Sequence, residues 1–126
     1  MTLPAPRRRD LAATLVSHAA GLTGDTAAAG LIAAHHVWLA RADFVTSHLH
    51  AGTRPDGHRY AWIDWESAVT ALDARQLACT GSEAAILRIA ASLGDPATPV
   101  HLARVLGSLD HHNIQLVTAA ITRANG

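Results

Sequence analysis

The residues with the widest chemical range in this chain are nine histidines, ten arginines, three tryptophans and one cysteine. Metal pairs on a helix need ligands three or four residues apart, so that both face one ion. No two histidines have that spacing. His35/His36 and His111/His112 are adjacent and diverge, and His48 and His50 are two apart. The pattern therefore predicts no helix-borne metal site and no metal cofactor. There is no glycine-rich phosphate loop, no nucleophile elbow and no pair of glutamates placed for acid–base work. Cys79 precedes a helix start, where a thiol pKa can be lowered, but a buried, inert thiol is the expectation. Tyr60, Trp62 and Trp65 cluster where a loop enters a helix. They are read as a core nucleus or, alternatively, as a partner hot spot, because tryptophan concentrates binding energy.

Two stretches resemble known families. Arg41 and His48, six residues apart in between, are similar to the arginine–histidine motif of HEPN ribonucleases, which are helical proteins whose dimers pair two such motifs. That resemblance implies Arg41 and His48 as catalytic residues. Residues 86–126 read helix, loop, helix, glycine turn, helix. Within them, Leu102-Ala103-Arg104-Val105-Leu106-Gly107-Ser108-Leu109-Asp110 resembles the turn of helix-turn-helix DNA-binding domains, with Ala103 as the small residue, Gly107 as the helix stop and Asp110 as the cap. The resemblance implies that the next helix enters the major groove, with His111, His112, Asn113, Gln115 and Thr118 near base edges. Asparagine and glutamine can read adenine. Arg7, Arg8 and Arg9 would then act as a phosphate- or minor-groove-contacting arm. The composition is also diffusely similar to small uncharacterised proteins of high-GC actinobacteria, which implies no activity.

The elements that must position these residues are predicted to be helical. Alanine is abundant, and it favours helix over strand. Residues 1–9 carry two prolines and read as a flexible tail, with a first helix from Asp10 to about residue 20. Asp25 is expected to cap a long helix over 26–50. Leu31, His35, Trp38, Ala42, Val45 and Leu49 follow a four-three spacing, which is an apolar seam. The alanine-rich seam suggests self-association, with Leu31, Trp38, Val45, Leu49, Trp62 and Trp65 as candidate partner-binding residues. Residues 52–61 form the main loop, with a strand at 60–63 as a minor alternative. Asp64 caps a helix over 65–75. Thr80 and Glu83 fit a capping box for a helix ending at Gly94. Pro99 suits the first turn of a helix to about 106, and Asp110 caps the last one.

The fold expectation is an all-α, single-domain bundle of about six helices spanning 10–126. A chain of 126 residues can bury roughly two-thirds of its unfolded surface, so it needs no disulfide or metal staple. Net charge is zero, so no general attraction to nucleic acid or anionic membrane is built in. No apolar run reaches membrane-spanning length. The single cysteine and the absence of a signal segment point to the cytoplasm. The functional expectation is a non-enzymatic interaction or regulatory module that binds a protein partner or itself. A DNA-binding regulator is the alternative, and a HEPN-like ribonuclease ranks below it. No cofactor and no small-molecule ligand are evident.

Overall fold

The structure is a computed structural model and describes residues 2–126. It is mostly helical, with one small antiparallel hairpin. In chain order the elements are α1 (Ala5–His18), α2 (Thr23–His35), a 3-10 turn (Trp38–Ala40), α3 (Ala42–His48), β1 (Leu49–Thr53), β2 (Arg59–Ile63), α4 (Trp65–Asp73), α5 (Gly81–Gly94), α6 (Leu102–Val105), a second 3-10 turn (Leu106–Ser108) and α7 (His111–Ala124). Helix α2 lies at the centre, against α5, α7 and α1. One continuous hydrophobic cluster runs from Leu11 to Ala120, and Trp38, Phe44, Ile32, Leu39, Ile86 and Leu87 are fully enclosed in it.

Three of the helix caps read from the sequence are present. The Asp64 carboxylate accepts from Ser67 N at 3.1 Å and caps α4. Thr80 and Glu83 form the reciprocal capping box of α5, at 3.1 and 2.9 Å. Asp110 accepts from Asn113 N at 2.7 Å and caps α7. Each satisfies backbone donors that a helix start leaves unpaired, typically for about 1 kcal/mol.

The long helix over 26–50 does not exist as one element. Helix α2 stops at His35, because His36 takes the left-handed conformation at φ 59° and donates its N–H to Ile32 O, a helix-ending cap. Arg41 is extended, α3 lasts only two turns, and Leu49 already belongs to a strand. Except for Ala42, which is partly exposed, the four-three seam is nevertheless buried. Leu31, His35, Trp38, Val45 and Leu49 all lie in the interior, reached from a helix, a 3-10 turn, a short helix and a strand in turn. The periodicity tracked burial, not helical continuity. Asp25 likewise sits in the first turn of α2 rather than at its cap, which is Leu22.

The other departures are also local. Residues 5–9 are the first turns of α1, with Pro6 accommodated there because early helical N–H groups have no partner to lose. The expected loop at 52–61 is the hairpin β1–β2, paired Leu49↔Ile63 through Thr53↔Arg59. Pro55, Asp56 and Gly57 make its turn: Gly57 adopts φ +89°, Arg54 N–H donates to His58 O, and Gly57 N–H donates to Arg54 O. The all-α expectation is corrected to mostly helical with this sheet. The helix expected over 99–106 shrinks to the four residues of α6, none of them buried.

Candidate interaction groove

A groove of about 330 Å³ opens where the α1–α2 corner meets β2, the start of α4 and the end of α5. Leu15, His18, Leu22, Asp25, Trp62, Trp65 and Gly94 are among its lining residues. Several local features build it. Gly21 turns the chain at φ +101°, and Thr26 Oγ1 donates to Ala19 O at 2.8 Å, fixing the corner that carries Leu22. A Cβ on Gly24 would lie 2.6 Å from the Leu93 carbonyl oxygen, so this glycine lets the start of α2 touch the end of α5. A Cβ on Gly94 would collide with the Trp65 indole, so Gly94 lets that ring approach the α5 terminus closely.

The lips of the groove are apolar and open. Leu22 is 65% exposed and Trp62 44% exposed, and Trp65 is half-buried between them and the core. Trp62 stacks on His50 across the hairpin, with ring centroids 4.3 Å apart and 19° between planes. That pairing holds the indole in one orientation. Among the described residues the indole N–H groups of Trp62 and Trp65 have no protein acceptor, whereas that of Trp38 donates to Glu83 O at 3.1 Å. Among the described residues, Asp25 is the only carboxylate in the lining, and no arginine lies beside it.

The remaining candidate partner residues face inward. Leu31, Trp38, Val45 and Leu49 are core residues with 8% exposure or less. They have no free surface for a second chain, so the self-association seam is used up by the fold itself.

Arg41 and His48 are held apart in role. Arg41 precedes α3, lies over the Trp38 ring at 4.9 Å, bonds both Asp43 oxygens at 3.0 and 2.6 Å, and donates to Ala78 O. The Asp43 carboxylate holds its guanidinium pKa above the ordinary value. His48 ends α3, is buried, and its Nδ1 pairs with Ser67 Oγ at 2.8 Å. Burial pushes its pKa down, partly offset by Asp64 and Asp43. The arginine is committed to an internal ion pair and the imidazole to an internal hydrogen bond.

On α7 the side chains implied by the helix-turn-helix resemblance divide. His111, His112, Gln115 and Thr118 are exposed. Asn113 is buried at 6%, with its Nδ2 donating to Ser82 Oγ at 2.8 Å, so it ties α7 to α5 instead of facing outward. Arg7, Arg8 and Arg9 lie within α1; Arg7 and Arg9 are exposed and Arg8 is half-buried beside Ala33 and His36. The one arginine of α7, Arg123, lies at its far end against Gly30.

Cys79 is exposed rather than buried, and its thiol pKa is pushed up by partial desolvation and then by the Glu83 carboxylate. Among the described residues no group of three or more His, Cys, Asp or Glu side chains is arranged to hold a metal ion. Among the described residues no helix is long and apolar enough to cross a membrane.

In the sequence Trp62 and Trp65 stand out as a candidate hot spot, whereas Asp25 and Gly94 read only as a helix cap and a helix end, and His18 and Leu22 carry no functional signal. These residues share a site only once α1, α2 and α5 converge. No family model, curated protein or solved structure matches the chain.

Proposed function

We propose that the chain is a non-enzymatic binding module that docks a partner protein in the groove walled by Leu22, Trp62 and Trp65. One observation carries this reading. Of the five exposed large hydrophobic side chains among the described residues, two, Leu22 and Trp62, border the same concavity, with a second tryptophan inside it. Scattered apolar side chains on a surface need no explanation, but apolar residues gathered round a concavity mark interaction sites. A pre-oriented indole costs little ordering entropy on binding and is a common anchor.

The test is peptide-display selection on the full chain. Selected peptides are expected to lose about 30-fold in affinity on Trp62→Ala, as for an anchor worth about 2 kcal/mol. Ile121→Ala, on the exposed face of α7, is the control and should leave affinity unchanged. Peptides that bind Trp62→Ala and Leu22→Ala as tightly as the parent chain would overturn the proposal. Sedimentation showing a dimer that Trp62→Ala dissolves would replace the partner protein with a second copy of this chain.

The second reading, a DNA-binding regulator, is supported by the exposed row His111, Gln115 and Thr118 on α7. Asp110 at the head of that helix and the distant Arg123 weigh against it electrostatically, since phosphate contacts dominate affinity.

A further inference from the structure

We infer that the groove is built to receive an arginine side chain of the partner protein. This rests on the docking reading above and specifies its chemistry.

Asp10, Asp43, Asp56 and Asp73 are paired with Arg59, Arg41, His58 and Arg88. Asp64, Glu83, Asp95 and Asp110 accept from backbone or side-chain donors at helix starts and turns. Two of the ten carboxylates have no side-chain or capping partner among the described residues: Glu66, which is exposed, and Asp25, which is half-buried in the groove. Asp25 sits in the first turn of α2 and has no side-chain cation beside it, so a cation entering the groove meets an unneutralised carboxylate.

The molecule supplies its own template for what fits there. At Arg41 a guanidinium lies over the Trp38 ring at 4.9 Å while bonding both oxygens of Asp43. The groove presents the same two ingredients, indole rings and an aspartate, without the arginine. Guanidinium suits this set better than ammonium because it is planar, stacks on indole and forks onto a carboxylate. The volume, about 330 Å³, is near the bottom of the range for small-ligand pockets (about 300–1,000 Å³), which suits one long side chain and its neighbours. No arginine lines the groove, so a cation meets no fixed positive charge there, and an anionic partner meets Asp25.

The experiment uses the 15N-labelled 126-residue chain, whose three indole N–H signals report separately on Trp38, Trp62 and Trp65. It is titrated with N-acetyl-argininamide and with N-acetyl-norleucinamide, which keeps an apolar stem without the charge. Saturable shifts of the Trp62 and Trp65 signals are expected, with Trp38 unmoved. The arginine probe should bind about tenfold more tightly than the norleucine probe, the combined effect of a cation–π contact and a partly screened ion pair. That advantage should shrink with added salt and vanish in Asp25→Asn, while norleucinamide binding persists. Asp25→Ser serves as the second variant if Asp25→Asn loses spectral dispersion. Equal affinity for the two probes would overturn the arginine inference and leave the docking groove standing. Unmoved Trp62 and Trp65 signals with both probes would overturn both.

Discussion

Replacing Gly24 and Gly30 by alanine, one at a time, applies the same chemical change to two points of one helix and should move stability in opposite directions. Both glycines sit in α2. Alanine in a helix interior gains up to about 1 kcal/mol over glycine, less in the first turn. At Gly30 the new methyl meets the guanidinium end of Arg123, a flexible and exposed side chain that can swing away. The propensity gain then dominates, and Gly30→Ala should stabilise by up to about 1 kcal/mol. At Gly24 the methyl would lie 2.6 Å from the Leu93 carbonyl oxygen, which is backbone and fixed within α5. Carbon–oxygen contacts ordinarily sit at about 3.3–3.6 Å, so α2 and α5 must separate by most of an ångström. Overpacking of this kind costs about 1–3 kcal/mol, which outweighs the gain and leaves a net loss of about 1–2 kcal/mol.

Thermal and urea unfolding followed by far-UV circular dichroism would measure both, and a chain of this size is suited to two-state treatment. At about 4 °C per kcal/mol, Gly30→Ala should raise Tm by a few degrees and Gly24→Ala lower it by about 4–8 °C. Gly24→Ala should also weaken binding of the arginine probe, because Leu22 and Asp25 move with the start of α2. Equal stabilisation by both substitutions would refute the close backbone approach and, with it, the construction of the groove.

Two further outcomes can be checked. His35 is buried, its Nδ1 has no hydrogen-bond partner, and burial holds its pKa below the ordinary 6.5, with His36 and His112 adding to the effect and Glu83 and Asp110 opposing it. His48 is lowered in the same direction. The unfolded chain therefore binds more protons just below pH 6.5, so stability is fully present above that value and is lost as pH falls through the depressed folded values. Melts from pH 8 down to pH 5 should show the loss, and His35→Gln should flatten it; an unchanged slope would show that His35 is not the group responsible. For the DNA reading, fluorescence anisotropy with labelled duplex should show salt-dependent binding weakened by Gln115→Ala and Thr118→Ala. Binding that is absent at low salt, or unaffected by either change, would remove that reading.

The features legible in the sequence were those that depend on neighbours three or four residues away. Asp64, the Thr80–Glu83 pair and Asp110 mark helix starts because a cap is satisfied by its own first turn. Five of the six residues in the four-three row from Leu31 to Leu49 are buried, Ala42 only partly, because burial favours apolar side chains whatever backbone carries them. What the row could not say is that His36 would turn left-handed and that the chain would go on as a 3-10 turn, a short helix and a strand. Helix propensity differences are fractions of a kcal/mol per residue, and packing Trp38, Leu39 and Phe44 into one core outweighs them. The groove was out of reach for a different reason. Trp62 and Trp65 are three apart, as on one helix face, yet one lies on β2 and the other opens α4. Their neighbours Leu22, Asp25 and Gly94 arrive from distant stretches of chain. Sequence determined the mostly helical character and the capped starts of α4, α5 and α7. Tertiary structure decided which of the tryptophans stayed at the surface, and which aspartate was left beside them without a partner.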